Sequence, residues 1–181
     1  MKRIVEKLPL YGVELSQMDA LELFGGDGSW QTYIYADKVK TLEAWEFDDQ
    51  RAKEFAKNFP EADIKIGDSL EIKADKKFDL VVIDNPQNVY GHNYCEHFEA
   101  LKNLKELMDK GVVIFNVNKE PFGDNPDWYF RRMLYYGQQK LSTSFVFNFY
   151  DLLFDRLGYK VKFAFEEPRN SYLSYMVYGL E

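Results

Sequence analysis

Five short apolar runs, at 20–24 (ALELF), 41–46 (TLEAWE), 63–66 (DIKI), 78–83 (FDLVVI) and 111–117 (GVVIFNV), are separated by stretches of helical periodicity. Strands that alternate with helices are joined by crossovers, which bring each strand back parallel to the last and cover both faces of the sheet. The clearest crossover helix is QRAKEFAKNF, where Ala52, Phe55, Ala56 and Phe59 fall at helical spacing and Pro60 stops the run. Another is EHFEALKNLKELMDKG, where Phe98, Leu101, Leu104, Leu107 and Met108 share a face and Gly111 follows. A third amphipathic stretch is FVFNFYDLLFDRLG, after which KVKFAFE and YLSYMVYGL flank the turn EPRNS as a terminal hairpin. The expected fold is α/β: a doubly wound, mostly parallel seven-stranded sheet with an antiparallel C-terminal hairpin strand.

A chain of 181 residues suits one domain with a complete core, and 46% hydrophobic with 17% aromatic residues exclude disorder. The net charge of -7 offers no general attraction to a polyphosphate, so nucleic-acid binding would need a local basic patch. The single cysteine, Cys95, excludes an internal disulfide, and MKRIVEKLPL lacks a long apolar stretch. A cytoplasmic protein with no membrane partner is expected.

Ligands of open parallel sheets bind beyond the carboxyl ends of the strands. At the first end, Glu22 is followed by a turn containing Gly25, Gly26 and Gly28, read as leading into a helix and as allowing backbone to approach a ligand. The nicotinamide fingerprint needs a further glycine where Gln31 stands. The second end carries Glu46, whose carboxylate suits a pair of ribose hydroxyls, while Asp48 or Asp49 caps the next helix. The third is Gly67-Asp68-Ser69, where a carboxylate and backbone could read an amine-bearing ring. The fourth is Asp84-Asn85-Pro86-Gln87, with polar groups on a turn stiffened by proline.

In this order, LELFGGDG, WEFDD, GDS and FDLVVIDNPQ resemble the successive motifs of class I S-adenosylmethionine-dependent methyltransferases, and the terminal hairpin fits that family's reversed last strand. The resemblance implies that Glu22 and the turn with Gly25, Gly26 and Gly28 face the methionine portion of S-adenosylmethionine, Glu46 the ribose, and Asp68 with Ser69 the adenine, with Phe24 and Phe47 as further cofactor contacts. Asp84 would touch both cofactor and acceptor, and Asp84, Asn85, Pro86 and Gln87 would form the catalytic turn. Phe24 stands where many members have glycine, and LELFGGDG is similar to the form found in amino-methylating nucleic-acid enzymes. Those enzymes carry an aromatic residue where this chain has Gln87, so the resemblance favours N-methylation of a small molecule or flexible segment, with RNA or DNA amino-methylation as the alternative. GGDG and the leader EKLPLYG are also similar to the aminopropyltransferases that make spermidine, which place a second Asp at the position of Gln87. A non-catalytic binder on the same fold is the third reading.

The stretch GHNYCEH holds His92, Cys95 and His97, but no second cluster completes a zinc set, so no metal is expected and the stretch is read as a loop lining the acceptor side. Tyr90 and His92 belong to that lining. A polar, aromatic insert at about 118–140 supplies Trp128, Arg131 and Arg132 as further acceptor contacts, with Tyr135 and Tyr136 beside them.

Overall fold

The computed structural model describes residues 1–84, 100–119, 133–138, 140–171 and 173–181. Its strands are β1 (Asp19–Leu23), β2 (Thr41–Glu46), β3 (Asp63–Ile66), β4 (Leu80–Ile83), β5 (Gly111–Asn118), β6 (Val161–Pro168) and β7 (Leu173–Leu180). They form one sheet in the order β3-β2-β1-β4-β5-β7-β6, parallel throughout except for β7, which runs antiparallel to both of its neighbours. The expected doubly wound sheet and reversed C-terminal hairpin are therefore both present.

Strand alternation divides the core in two. Leu21, Leu23, Val81, Ile83, Val113 and Phe115 point to one face, covered by the short helix α3 (Leu104–Leu107) and by α4 (Thr143–Arg156) through Leu104, Val146, Tyr150 and Phe154. Ala20, Leu80, Val82, Val112, Ile114 and Val177 point to the other face, where α1 (Lys2–Lys7) brings Ile4 and α2 (Asp49–Asn58) brings Phe55. Caps fix the helix starts: Asp48 accepts from the amides of Gln50 and Arg51, and Ser142 accepts from that of Phe145.

Three local expectations change. No α-helix follows the glycine turn; the chain returns to β2 through turns and one 3-10 turn, Thr32–Ile34, because Thr32 and Tyr35 are drawn onto Glu22. The helix expected through Phe98 to Met108 is broken at Asn103, whose amide bonds Ala100 and whose carbonyl accepts from Glu106, both at 3-10 spacing; Phe98 itself lies outside the described residues. Ala56 is exposed, so α2 buries Ala52 and Phe55. The helix α1 was not foreseen.

Candidate functional site

Glu46, Glu22, Asn116 and Tyr175 on β2, β1, β5 and β7, and Asp84 directly after β4, follow one another across the sheet and share the face covered by α1. Each lies at the end where the parallel strands finish, because β7 runs backwards and presents its beginning there. All are buried apart from a partly accessible Asp84 backbone. A row of carboxylates and hydrogen-bonding groups under the edge of an apolar sheet must be satisfied internally or by a ligand.

The carboxylate of Glu46 accepts from the Gly26 amide at 2.6 Å and the Asp48 amide at 2.8 Å, so it ties the glycine turn to the start of α2. A carboxylate has about four acceptor positions, and two remain for other donors. Phe47, the next residue, is 65% exposed and leaves an aromatic surface beside it. Ser69 Oγ accepts from the Phe24 amide at 3.2 Å and donates to the Trp45 carbonyl, pinning three strand ends together. Asp68 accepts from the Leu70 amide and sets the turn. Phe24 has φ 59°, the left-handed conformation that glycine adopts freely, so the ring at this position is held against a backbone preference. A cavity of about 110 Å³ opens beside Ser69, bounded by Leu23, Trp45, Ile72 and Asn103.

The two left-handed glycines of the turn serve different ends. A Cβ on Gly28 would sit 2.4 Å from Cε2 of Phe59, whereas one on Gly26 would meet nothing within 4 Å. Gly28→Ala is therefore expected to lower stability by about 1–3 kcal/mol through overpacking, and Gly26→Ala by about 1 kcal/mol from its φ alone. Thermal unfolding of the two variants checks this; equal losses would remove the distinction between a packed glycine and one beside open space.

Glu22 accepts from Thr32 Oγ1 at 2.7 and 2.9 Å and from the Tyr35 hydroxyl at 2.6 Å. Residues three apart eclipse on a 3-10 turn, which is why both donors reach one carboxylate. Burial pushes the Glu22 carboxyl up to about 7 against the pull of those two donors, and burial with the adjoining Glu22 charge raises Tyr35 well above the ordinary phenol value. A folded carboxyl that holds its proton more tightly than the unfolded chain makes stability fall as pH rises from 4.5 to about 7, then level off. The fall is expected to reach up to roughly 3 kcal/mol. Denaturant titrations of Glu22→Gln should show that slope flattened, and an unchanged slope would assign it to another group.

Asp84 is the most heavily engaged residue of the row. Its Oδ1 accepts from Asn116 Nδ2 at 2.7 Å and from Arg169 Nη1 at 2.9 Å, and its Oδ2 accepts from the Tyr175 hydroxyl at 2.7 Å. Burial and the Asp84 charge raise the Tyr175 hydroxyl far above the ordinary value, so it stays a donor. Arg169 belongs to the β6–β7 turn, and its guanidinium lies 5.5 Å from the Trp30 ring centroid and 5.6 Å from that of Tyr175. The hairpin thus reaches across the strand ends to the segment after the glycine turn.

The structure brings Glu22, the Gly25–Gly28 turn, Glu46 and Asp84 to one end of the sheet, with Asp68 and Ser69 beside them. Asn85, Pro86, Gln87, Tyr90, His92, Tyr94, Cys95, His97, Trp128, Arg131 and Arg132 lie outside the described residues. Tyr136, expected beside the acceptor, packs instead on α4, its ring 4.9 Å from Phe149 and its hydroxyl 2.7 Å from that of Tyr150, because α4 offers an aromatic face there. Thr32, Tyr35, Asn116, Arg169 and Tyr175 went unread in the sequence. Strand parity held a signal for two of them: Asn116 follows Val112 and Ile114 at intervals of two, and Tyr175 stands two before Val177. Among the described residues no group of three or more His, Cys, Asp or Glu side chains is placed to hold a metal ion, and no helix is long and apolar enough to cross a membrane.

No protein-family model matches the sequence, and no curated protein matches it significantly. Solved structures do. One is a TehB-like SAM-dependent methyltransferase from Corynebacterium glutamicum ATCC 13032 Kitasato, at 16% identity and TM-score 0.59, covering 99% of this chain and 86% of that one. A second is an S-adenosylmethionine-dependent methyltransferase from Clostridium acetobutylicum ATCC 824, at 12% identity and TM-score 0.64, covering 97% and 88%. A third is the N-methyltransferase NodS from Bradyrhizobium japonicum WM9 in complex with S-adenosyl-L-homocysteine, at 13% identity and TM-score 0.63, covering 98% and 84%. The chain has the class I methyltransferase fold.

Proposed function

We propose that the chain is an S-adenosylmethionine-dependent methyltransferase acting on a nitrogen of a small molecule or flexible segment. The observation that carries this reading is Glu46: a buried carboxylate at the end of β2, oriented by the Gly26 and Asp48 amides, with acceptor capacity left for two ribose hydroxyls. The open side of Gly26 and the exposed Phe47 ring suit the rest of such a cofactor. One of the similar solved structures bears the name N-methyltransferase, which agrees with the nitrogen preference read from Asp84-Asn85-Pro86-Gln87.

The cofactor, when bound, supplies an electrophilic methyl group on a sulfonium. In this reading Glu46 fixes the ribose, the open side of Gly26 admits the methionine portion, and Asp68 with Ser69 sets the adenine side. Asp84 holds the acceptor side of the site in register through Asn116, Tyr175 and Arg169. The acceptor nitrogen is oriented by polar groups of the Asp84-Asn85-Pro86-Gln87 stretch, and positioning at near-attack distance provides most of the rate. Calorimetric titration with S-adenosylmethionine and with its decarboxylated form tests the reading. Tight binding of the first and weaker binding of the second is the expected result; preference for the decarboxylated form would make the chain an aminopropyltransferase, and binding of neither a non-catalytic protein. Label transfer from methyl-labelled cofactor into amines, but not into alcohols, then checks the acceptor atom.

A further inference from the structure

We propose that Arg169 binds a carboxylate of the methyl acceptor, which makes the acceptor a small carboxylic acid; this inference rests on the methyltransferase reading above. The reversed strand β7 and the edge strand β6 carry their turn to the end of the sheet where Glu46 and Asp84 stand. Arg169 on that turn gives Nη1 to Asp84 and is flanked by the rings of Trp30 and Tyr175. A guanidinium has five N–H donors in a rigid plane, so the pairing with Asp84 leaves a fork able to take a carboxylate through two parallel bonds. The side chain is 21% exposed, enough for its unused edge to meet a ligand while one contact and two rings hold it in place.

Stabilising Asp84 does not by itself call for this residue. Both Asp84 oxygens already accept from neutral donors, Oδ1 from Asn116 and Oδ2 from Tyr175. Trp30 is 67% exposed beside the guanidinium, which provides an apolar wall for the body of a ligand whose charged end meets Arg169.

The test uses the full chain and an equimolar pool of free amino acids mixed with the corresponding primary amides, observed by saturation-transfer NMR with and without S-adenosylmethionine. Signals are expected from one or more acids and not from their amides. Arg169→Met should weaken acid binding by about 10- to 100-fold, and Arg169→Lys, which keeps the charge on Asp84 but loses the fork, by about tenfold. Circular dichroism verifies that each variant is folded, and the Lys variant serves if the Met variant is not. Equal signals from acids and amides, absence of any acid signal, or acid binding unchanged in a folded variant would overturn the inference. S-adenosylmethionine binding is measured on the same samples. If it binds without acid selectivity, only the carboxylate inference fails; if acids bind through Arg169 and the cofactor does not bind, only the methyltransferase reading fails.

Discussion

Glu46→Ala is expected to weaken S-adenosylmethionine binding by about 10- to 150-fold, the equivalent of roughly 1.5–3 kcal/mol for lost charge-assisted hydrogen bonds. The effect has two sources. On the proposed reading two ribose hydroxyls lose their acceptor, and the Gly26 and Asp48 amides lose the carboxylate that holds the glycine turn against α2. Glu46→Gln separates them, since its carbonyl oxygen retains one acceptor for the backbone while the charge is gone; an intermediate loss is expected. Calorimetry on both variants is the measurement. Wild-type affinity in Glu46→Ala would move the ribose contact elsewhere and leave Glu46 with a purely structural role.

The second large effect is expected at Asp84. Its removal leaves Asn116, Tyr175 and Arg169 without their shared acceptor, and breaking a buried pair from one side costs about 3–5 kcal/mol. Because Arg169 retains a fifth of its surface in water, the lower end applies, about 3 kcal/mol in chemical denaturation of Asp84→Ala. On the proposed reading, in which Asp84 stands on the acceptor side, turnover should fall further than cofactor affinity. The double variant Asp84→Ala, Arg169→Met should cost less than the sum of the singles, by about 1–2 kcal/mol, because neither charge is then left alone. Strict additivity would show that the ion pair contributes nothing to the fold.

The apolar runs at Ala20, Leu42, Val81 and Val113 were sufficient to read their strands, since burial on both faces of a parallel sheet demands them, while β3 at the edge is only partly buried. Glu46 and Asp84 were legible for the same reason, each being the polar residue that ends a buried run, whereas Glu22 lies inside β1 and Asp68 follows the partly exposed β3. What they bond was not legible. Thr32 and Tyr35 reach Glu22 only because the β1–β2 connection forgoes a helix, and Gly28, Ser29 and Trp30 carry no local signal that separates a 3-10 turn from the start of an α-helix. Arg169 was hidden for a different reason. It reads as an ordinary turn residue in EPRNS, and its meaning depends on an 85-residue separation from Asp84 that only the reversed strand closes. Tyr136 shows the converse, an aromatic residue in a polar stretch whose partner, Phe149, lies on a later helix.

The place of β7 in the sheet has a consequence for the order in which the molecule is made. β6 leaves the ribosome before β7, yet its neighbour in the sheet is β7, which pairs from Gly111↔Leu180 to Asn118↔Leu173 on one side and with β6 on the other. A nascent chain that has reached residue 170 therefore holds an edge strand with nothing to join and an apolar β5 flank still open, a state prone to pairing with other chains. Vectorial synthesis can complete β1 to β5 early, but the long-range closure waits for the final strand. Arg169 and Tyr175 come to Asp84 with that closure, so the ion pair is a late marker of maturation, and ribosome-stalled chains of increasing length should gain protection of Asp84's neighbours from proteolysis in a single step after β7 emerges.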